Sequence, residues 1–180
     1  MIFESTRLKE QFPELYGFVL MDPMRLDSFY QFNAKGMDLL TRFTQTDDGD
    51  RVCREGIAIP ITNIDEGDYS ITIRDSQSPG LDQPPHALSK GWIIGTETGK
   101  LIFTGLGYLI HWDPNHTHHV HIQVPPGWYQ VNLSGYRLDE DSSGDDGLYD
   151  FALTPSSHKP AFTANMATLL GLFCDKGNCQ

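Results

Sequence analysis

Histidines are concentrated in one short stretch of this 180-residue chain. Five of the seven histidines lie within the eleven residues from 111 to 121. Imidazole nitrogens are good ligands for zinc, iron, nickel and copper, so clustered histidines are the first candidate for a chemical site. The candidate metal ligands are His111, His116, His118, His119 and His121.

The pair His119 and His121 resembles the metal motif of cupins, because a His-x-His pair on a strand places two ligands on one face. The resemblance implies a small metal-dependent enzyme, which we keep as the alternative function. Two observations favour a polar turn with outward histidines instead. No glutamate follows the pair, since Ile-Gln-Val-Pro-Pro comes after His121. If Val120, Ile122 and Val124 face the core, both histidines point away from it.

A second candidate is the acidic stretch from Asp139 to Asp150, whose spacing resembles a calcium-binding loop. Asp139, Asp141, Asp145 and Asp150 stand at loop positions one, three, seven and twelve. The fit is incomplete, because position eight is Asp146 rather than an apolar residue and the flanking residues are typical of strands rather than helices. We therefore expect a solvated acidic loop and no cofactor, with calcium as the weaker alternative.

The charge balance favours a protein partner. The chain has 24 acidic and 13 basic residues and a net charge of −11. This charge repels the phosphates of nucleic acids and anionic membranes and attracts basic proteins. No Gly-rich phosphate loop and no nucleophile motif accompanies it.

Aromatic side chains beside acidic loops could form the contact surface for such a partner, because aromatics supply contact area while carboxylates steer the approach. Trp128 is expected to be partly exposed, and so are Trp92 and Trp112. The leading hypothesis is a non-enzymatic acidic binding protein of the inhibitor or immunity type that neutralises a basic protein such as a nuclease toxin. The predicted contacts are Asp47, Trp128, Asp145 and Asp146.

Length and cysteine content indicate a single cytoplasmic domain spanning residues 1–180. No apolar run approaches the roughly 20 residues that cross a bilayer, and the first residues contain no hydrophobic signal core. Cys53, Cys174 and Cys179 are few and odd in number, which is typical of a reducing compartment.

A duplicated strand-turn-strand unit indicates how candidate residues are positioned. Ile64–Ile73 and Val124–Leu133 share an apolar residue, two turn residues, Gly, one variable residue and Tyr, followed by alternation of apolar and polar residues. Side chains alternate between the faces of a strand, so this pattern predicts which residues are buried. The expected buried residues are Ile71, Ile73, Val131 and Leu133, and the expected exposed residues are Ser70, Thr72, Gln130 and Asn132.

The remaining pattern predicts a mainly β fold, a β-sandwich or open barrel with this internal duplication and one or two short helices. Strands are predicted within 12–21, 52–61, 105–112 and 148–153, with a hairpin at 92–103. Segment 27–43 is predicted as helical or irregular, and 44–50 as a turn. The interval between apolar residues predicts a C-terminal helix over 162–173, with a strand at 167–173 as the alternative.

The segment Ile122–Leu133, with its Pro125-x-Gly127-x-Tyr129 motif, and the early strand Tyr16–Asp22 resemble the competence protein J family. Members of this family are small, acidic, β-rich nuclease inhibitors. The resemblance implies a β-rich fold and an inhibitor-like role. It identifies no functional residue in this chain.

Overall fold

The computed structural model describes residues 3–139 and 144–173. The structure is mainly β and contains two sheets packed over a common apolar core. The five-stranded sheet consists of β1 (Thr6–Gln11), β4 (Tyr69–Asp75), β5 (Ala87–Thr96), β8 (Gly127–Arg137) and β9 (Gly147–Ser156). The four-stranded sheet consists of β2 (Phe18–Met21), β3 (Ala58–Ile61), β6 (Lys100–Gly105) and β7 (Val120–Gln123). The α-helices are α1 (Pro23–Phe29), α2 (Leu39–Gln45) and α3 (Asp48–Arg54).

The strand order of the larger sheet is β1-β4-β9-β8-β5, and that of the smaller sheet is β3-β2-β6-β7. Strand β9 is central, with β4 parallel on one side and β8 antiparallel on the other. The edges β3 and β5 approach each other where the Gly95 amide donates to the Gly56 carbonyl at 2.9 Å. The predicted mainly β fold class is confirmed, with three short α-helices in the described residues rather than one or two.

The duplicated unit is present in three dimensions. Tyr69 and Tyr129 each follow a glycine in a positive-φ conformation, Gly67 at 154° and Gly127 at 150°. Each tyrosine hydroxyl donates to the backbone carbonyl four residues upstream, that of Asp65 or Pro125. This bond ties the turn to the strand that follows it, as in the tyrosine corners of β-sandwiches. The two units lie on either side of β9.

The predicted strand register is confirmed on the core face. Ile71, Ile73, Val131 and Leu133 all have no exposed surface. On the other face Gln130 is exposed, and Thr72 and Asn132 are half-buried.

Ser70 is an exception, because the prediction that it is exposed was wrong: it is completely buried. Its hydroxyl donates to the Asp145 carboxylate, which also accepts from the Glu10 amide at 3.2 Å. Glu10 has a φ of 53° and lies in a β-bulge between β1 and β4. The bulge frees this amide from the strand ladder, so Asp145 can bond it and cover Ser70.

Strand pairing differs from the sequence prediction at residues 92–103. Both strands exist, but they do not form a hairpin. Strand β5 pairs with β8, whereas β6 pairs with β2 and β7 in the other sheet. Residues 97–99 therefore connect the two sheets. Local periodicity does not distinguish such a connection from a hairpin turn.

Three further segments differ from the predictions. The predicted strand over 105–112 is a 3₁₀ turn at Leu106–Leu109. The predicted turn at 44–50 contains the start of α3, where Asp48 and Asp50 lie in the first helical turn and favour its positive dipole end. Only Ala58–Ile61 of the predicted strand 52–61 is a strand.

The segment 157–173 is irregular rather than the predicted helix or strand. Its backbone bonds to the body of the protein, with the amides of Thr163 and Ala164 both donating to the Gly91 carbonyl. Leu170 and Leu172 are buried, but Leu169 is 72% exposed. The apolar residues are spaced as in a helix, but burial in this segment alternates from one residue to the next.

Trp92 and Trp112 are buried core residues, 3% and 1% exposed, so the expectation that they are exposed was wrong. Trp128 is half-buried, as predicted. Among the residues described, no helix has the length and apolar character needed to span a membrane.

Candidate partner-binding surface

Three loops meet at one end of the larger sheet, where β1 ends and both β4 and β9 begin. The Asp146 amide donates to the Asp68 carbonyl at 2.8 Å, and the Asp68 amide donates to the Asp146 carboxylate at 3.0 Å. A side chain at Gly67 would collide with this carboxylate, so the tight approach of the two loops requires glycine there. Residues that are 78 positions apart in sequence are thereby held side by side.

Carboxylates are concentrated on this surface. Asp68 and Asp146 are exposed, and so are Glu66 in the same turn and Glu10 at the β-bulge. Asp139, also exposed, lies two residues after the end of β8. Closely spaced exposed carboxylates create a local negative potential that attracts a basic partner.

Large apolar side chains are exposed in the loop that follows β1 at this end of the sheet. Phe12, Leu15 and Tyr16 are 49%, 50% and 54% exposed. They lie in the connection from β1 to β2, and the Tyr16 carbonyl accepts from the Ile64 amide at 3.2 Å, next to the acidic turn. Phe173, 42% exposed, joins the same end, because its amide donates to the Asp65 carboxylate at 3.2 Å.

The backbone that presents Leu15 and Tyr16 is strained. Their φ angles are 54° and 59°, a conformation that bulky residues rarely adopt. The turn is fixed by a 2.8 Å bond from the Tyr16 amide to the Pro13 carbonyl. Gly17 then packs against Ile61 and Leu106 so closely that a Cβ atom would not fit. Two exposed apolar residues are therefore held outward at an energetic cost, a pattern found at functional sites.

We call this surface the acidic-apolar end and define it by Glu10, Phe12, Leu15, Tyr16, Glu66, Asp68 and Asp146. Exposed aromatic and aliphatic side chains together with charged residues are residue types that occur at protein-binding surfaces.

The structure separates the four contacts predicted from sequence. Asp146 lies on the acidic-apolar end and is exposed. Asp145 is only 3% exposed and bonds to Ser70 and the Glu10 amide, so we leave it out of the contact surface.

Trp128 and Asp47 lie elsewhere. Trp128 pairs with Ser156, the last residue of β9. The first residue of β9, Gly147, lies at the acidic-apolar end, and a strand of this length separates the two by about 30 Å. Its ring lies 4.5 Å from the Arg25 guanidinium and 5.7 Å from the Lys159 ammonium. These two cations would repel a basic partner. Asp47 is exposed and precedes α3.

The histidine cluster forms an aromatic stack. The Tyr108 ring lies 4.9 Å from that of His118 and 5.0 Å from that of His116. His111, His116, His118 and His121 are exposed.

His119 is buried, which corrects the expectation that it points outward. One ring nitrogen, Nε2, lies 2.8 Å from the Asp113 carbonyl and therefore donates to it, while Nδ1 lies 2.9 Å from the Thr104 hydroxyl. Both nitrogens are thus already bonded, and burial lowers the pKa of His119. The Asp113 carboxylate accepts a hydrogen bond from the Asn115 amide, and this bond lowers the pKa of Asp113.

Within residues 3–139 and 144–173, no three His, Cys, Asp or Glu side chains are grouped to hold a metal ion. Two of the residues considered as calcium ligands bond other groups of the protein. Asp150 forms an ion pair with Arg74 at 2.8 Å, and Asp145 bonds Ser70. Asp141 lies outside the described residues, as do Cys174 and Cys179.

No family model matches the chain, and no curated protein matches it. Two solved structures match. One, described as Crocagin biosynthetic gene J, has a TM-score of 0.52 and 15% sequence identity and covers 83% of this chain and 98% of its own. The other, ComJ from Bacillus subtilis, described as an inhibitor of the DNA degrading activity of NucA, has a TM-score of 0.49 and 11% identity and covers 87% and 98%. The weak resemblance to the competence protein J type that the sequence indicated is confirmed, and the first match shows that the fold is shared.

Proposed function

We propose that this chain is a non-enzymatic binding protein of the inhibitor or immunity type that neutralises a basic protein through its acidic-apolar end. One observation carries the proposal: a strained turn exposes Leu15 and Tyr16 in a loop that bonds the Ile64 amide, at the end of the sheet where Glu66, Asp68 and Asp146 are also exposed. A nuclease toxin is the target class to test first, and ComJ is described as an inhibitor of such an activity.

The arrangement suits this function because its two components act at different stages of binding. The carboxylates, with the net charge of −11, accelerate the approach of a basic protein. The apolar side chains lose their exposed area on contact and slow dissociation. We further propose that binding takes place in the cytoplasm and involves neither nucleic acid nor membrane.

The test is capture of a partner from extracts of the source organism on immobilised wild-type protein and two charge variants. The first variant neutralises the acidic-apolar end with Glu66→Gln, Asp68→Asn and Asp146→Asn. The matched control also removes three negative charges, but at exposed positions outside the acidic-apolar end, with Glu4→Gln, Asp47→Asn and Glu97→Gln.

We expect a basic protein to bind the wild type and the control, and to bind the first variant about tenfold or more weakly. Equal loss in both variants would show only a net-charge effect, and retention by both would place the contact elsewhere. Either result would contradict the proposal.

A second pair of variants tests the apolar component. Leu15→Asn and Tyr16→Asn remove the apolar groups and suit the positive-φ backbone, because asparagine adopts it more readily than bulky residues. We expect unchanged or improved folding stability together with weaker capture of the partner. Unchanged capture would limit the contact to the charged rim.

Elemental analysis of protein purified without an affinity tag separates this proposal from the alternative of a metal-dependent enzyme. A stoichiometric transition metal that is lost in His119→Ala and His121→Ala variants would favour the enzyme. Our proposal expects no such metal.

A further inference from the structure

A pocket of about 200 Å³ lies between the helical layer and the strands. Helices α2 and α3 form one wall, the 3₁₀ turn and β3 form another, and the irregular C-terminal segment covers part of it. The side chains that dominate the lining are Leu40, Phe43, Val52, Cys53, Leu109 and Met166.

The pocket is held open by anchored walls. Leu170, which lines it, accepts a 2.7 Å bond at its carbonyl from the buried Tyr149 hydroxyl. Trp92, also in the lining, is fixed by a 2.8 Å bond from its indole nitrogen to the Ser89 hydroxyl. The C-terminal segment therefore remains in place as one wall instead of collapsing into the space.

The lining determines what the pocket can bind. Its surface is mostly apolar, and among the residues that the structure describes no Lys, Arg or His lines it. The carboxylate of Asp50 lies at this pocket and disfavours anions. Burial raises the pKa of the Cys53 thiol to about 12, so the thiol is neutral at physiological pH. An anion would therefore find no positive charge there, and Asp50 is solvent-exposed, which weakens its attraction for a cation.

We propose that this pocket binds an uncharged apolar molecule about the size of one or two aromatic rings. An engineered protein cavity of about 150 Å³ with an aliphatic and aromatic lining stays free of water and binds benzene. This pocket is larger and partly open to solvent, and its mostly apolar lining also includes Thr44, Asp50, Thr62 and Thr168. The residues that line this pocket are different from those that define the acidic-apolar end.

Fluorobenzene is the probe for a binding titration followed by ¹⁹F NMR. We expect saturable shifts or broadening with the wild-type protein. Met166→Trp should fill the pocket and weaken binding by about tenfold or more, because the ligand and the new ring require the same space. Met24→Trp is the matched control, since Met24 is 51% exposed on α1 and does not line the pocket. No saturation with the wild type, or equal binding by both variants, would overturn the proposal.

Cys53 gives a second measurement that does not depend on a pocket-filling variant. In a Cys174→Ser, Cys179→Ser background it is the remaining thiol, and it is buried against the pocket. We expect saturating fluorobenzene to slow its reaction with a thiol reagent severalfold, because the ligand blocks the route to sulfur. An unchanged rate in protein that binds fluorobenzene would place the ligand outside this pocket.

Discussion

Truncating buried residues of the duplicated unit tests whether both copies contribute to the core in the same register. Ile71 and Val131 occupy equivalent positions two residues after Tyr69 and Tyr129, and both are fully buried. Thr72 and Gln130 are their neighbours on the opposite face.

The expected magnitudes follow from the atoms removed. Ile71→Ala deletes three carbons and Val131→Ala deletes two, at about 0.8 kcal/mol of transfer free energy each. The cavity that remains adds a further cost of about 1–2 kcal/mol. The free energy of unfolding should therefore fall by about 3.5–4.5 kcal/mol for Ile71→Ala and about 2.5–3.5 kcal/mol for Val131→Ala.

Thr72→Val and Gln130→Thr are matched controls that keep residues favoured in strands. Each should change the free energy of unfolding by less than about 1 kcal/mol. Urea titration measures all four variants, and an unchanged slope confirms that the unfolded state is comparable. Similar costs at core and control positions would refute the register and with it the equivalence of the two units.

Three other predictions concern single interactions. Tyr69→Phe and Tyr129→Phe should each cost about 1–2 kcal/mol in urea titrations, because each leaves one turn carbonyl without its hydroxyl donor; a large cost for one alone would show that the corners are not equivalent. Arg74→Met should cost about 3–5 kcal/mol, because it leaves the buried Asp150 carboxylate unpaired, and a cost below about 1 kcal/mol would contradict this role. The pKa of His119 is lowered in the folded state below its ordinary value of 6.5, so its contribution to stability is complete above that pH and is lost as the pH falls below it. His119→Gln should therefore flatten the decline in the midpoint of thermal unfolding between about pH 7 and 5. An unchanged decline would assign the pH dependence to other groups.

The sequence predicted most accurately those features that depend on local alternation. The core positions of both repeats were correct, because strand periodicity and a glycine turn determine which face is apolar. The hairpin at 92–103 was wrong, since the choice between pairing with a neighbour and crossing to another sheet depends on contacts distant in sequence.

The candidate surface illustrates the same limit. Asp146 was predicted as a contact, but its neighbour Asp145 is buried because a bulge at Glu10, over 130 residues away in sequence, offers it a backbone amide. The run from Phe12 to Met21 was predicted as a short turn and then a buried strand, but Leu15 and Tyr16 were not predicted as contacts. The available signal was Pro13 and Gly17, which bracket the turn and favour exposure of the residues between them.

Hydrogen exchange of the captured complex tests the central claim most directly, because it locates the partner on this chain. The proposal predicts that binding slows amide exchange at Phe12–Tyr16 and in the turn Glu66–Asp68, and leaves the surroundings of Trp128 unchanged. Protection centred on Trp128, with no change at the acidic-apolar end, would contradict it.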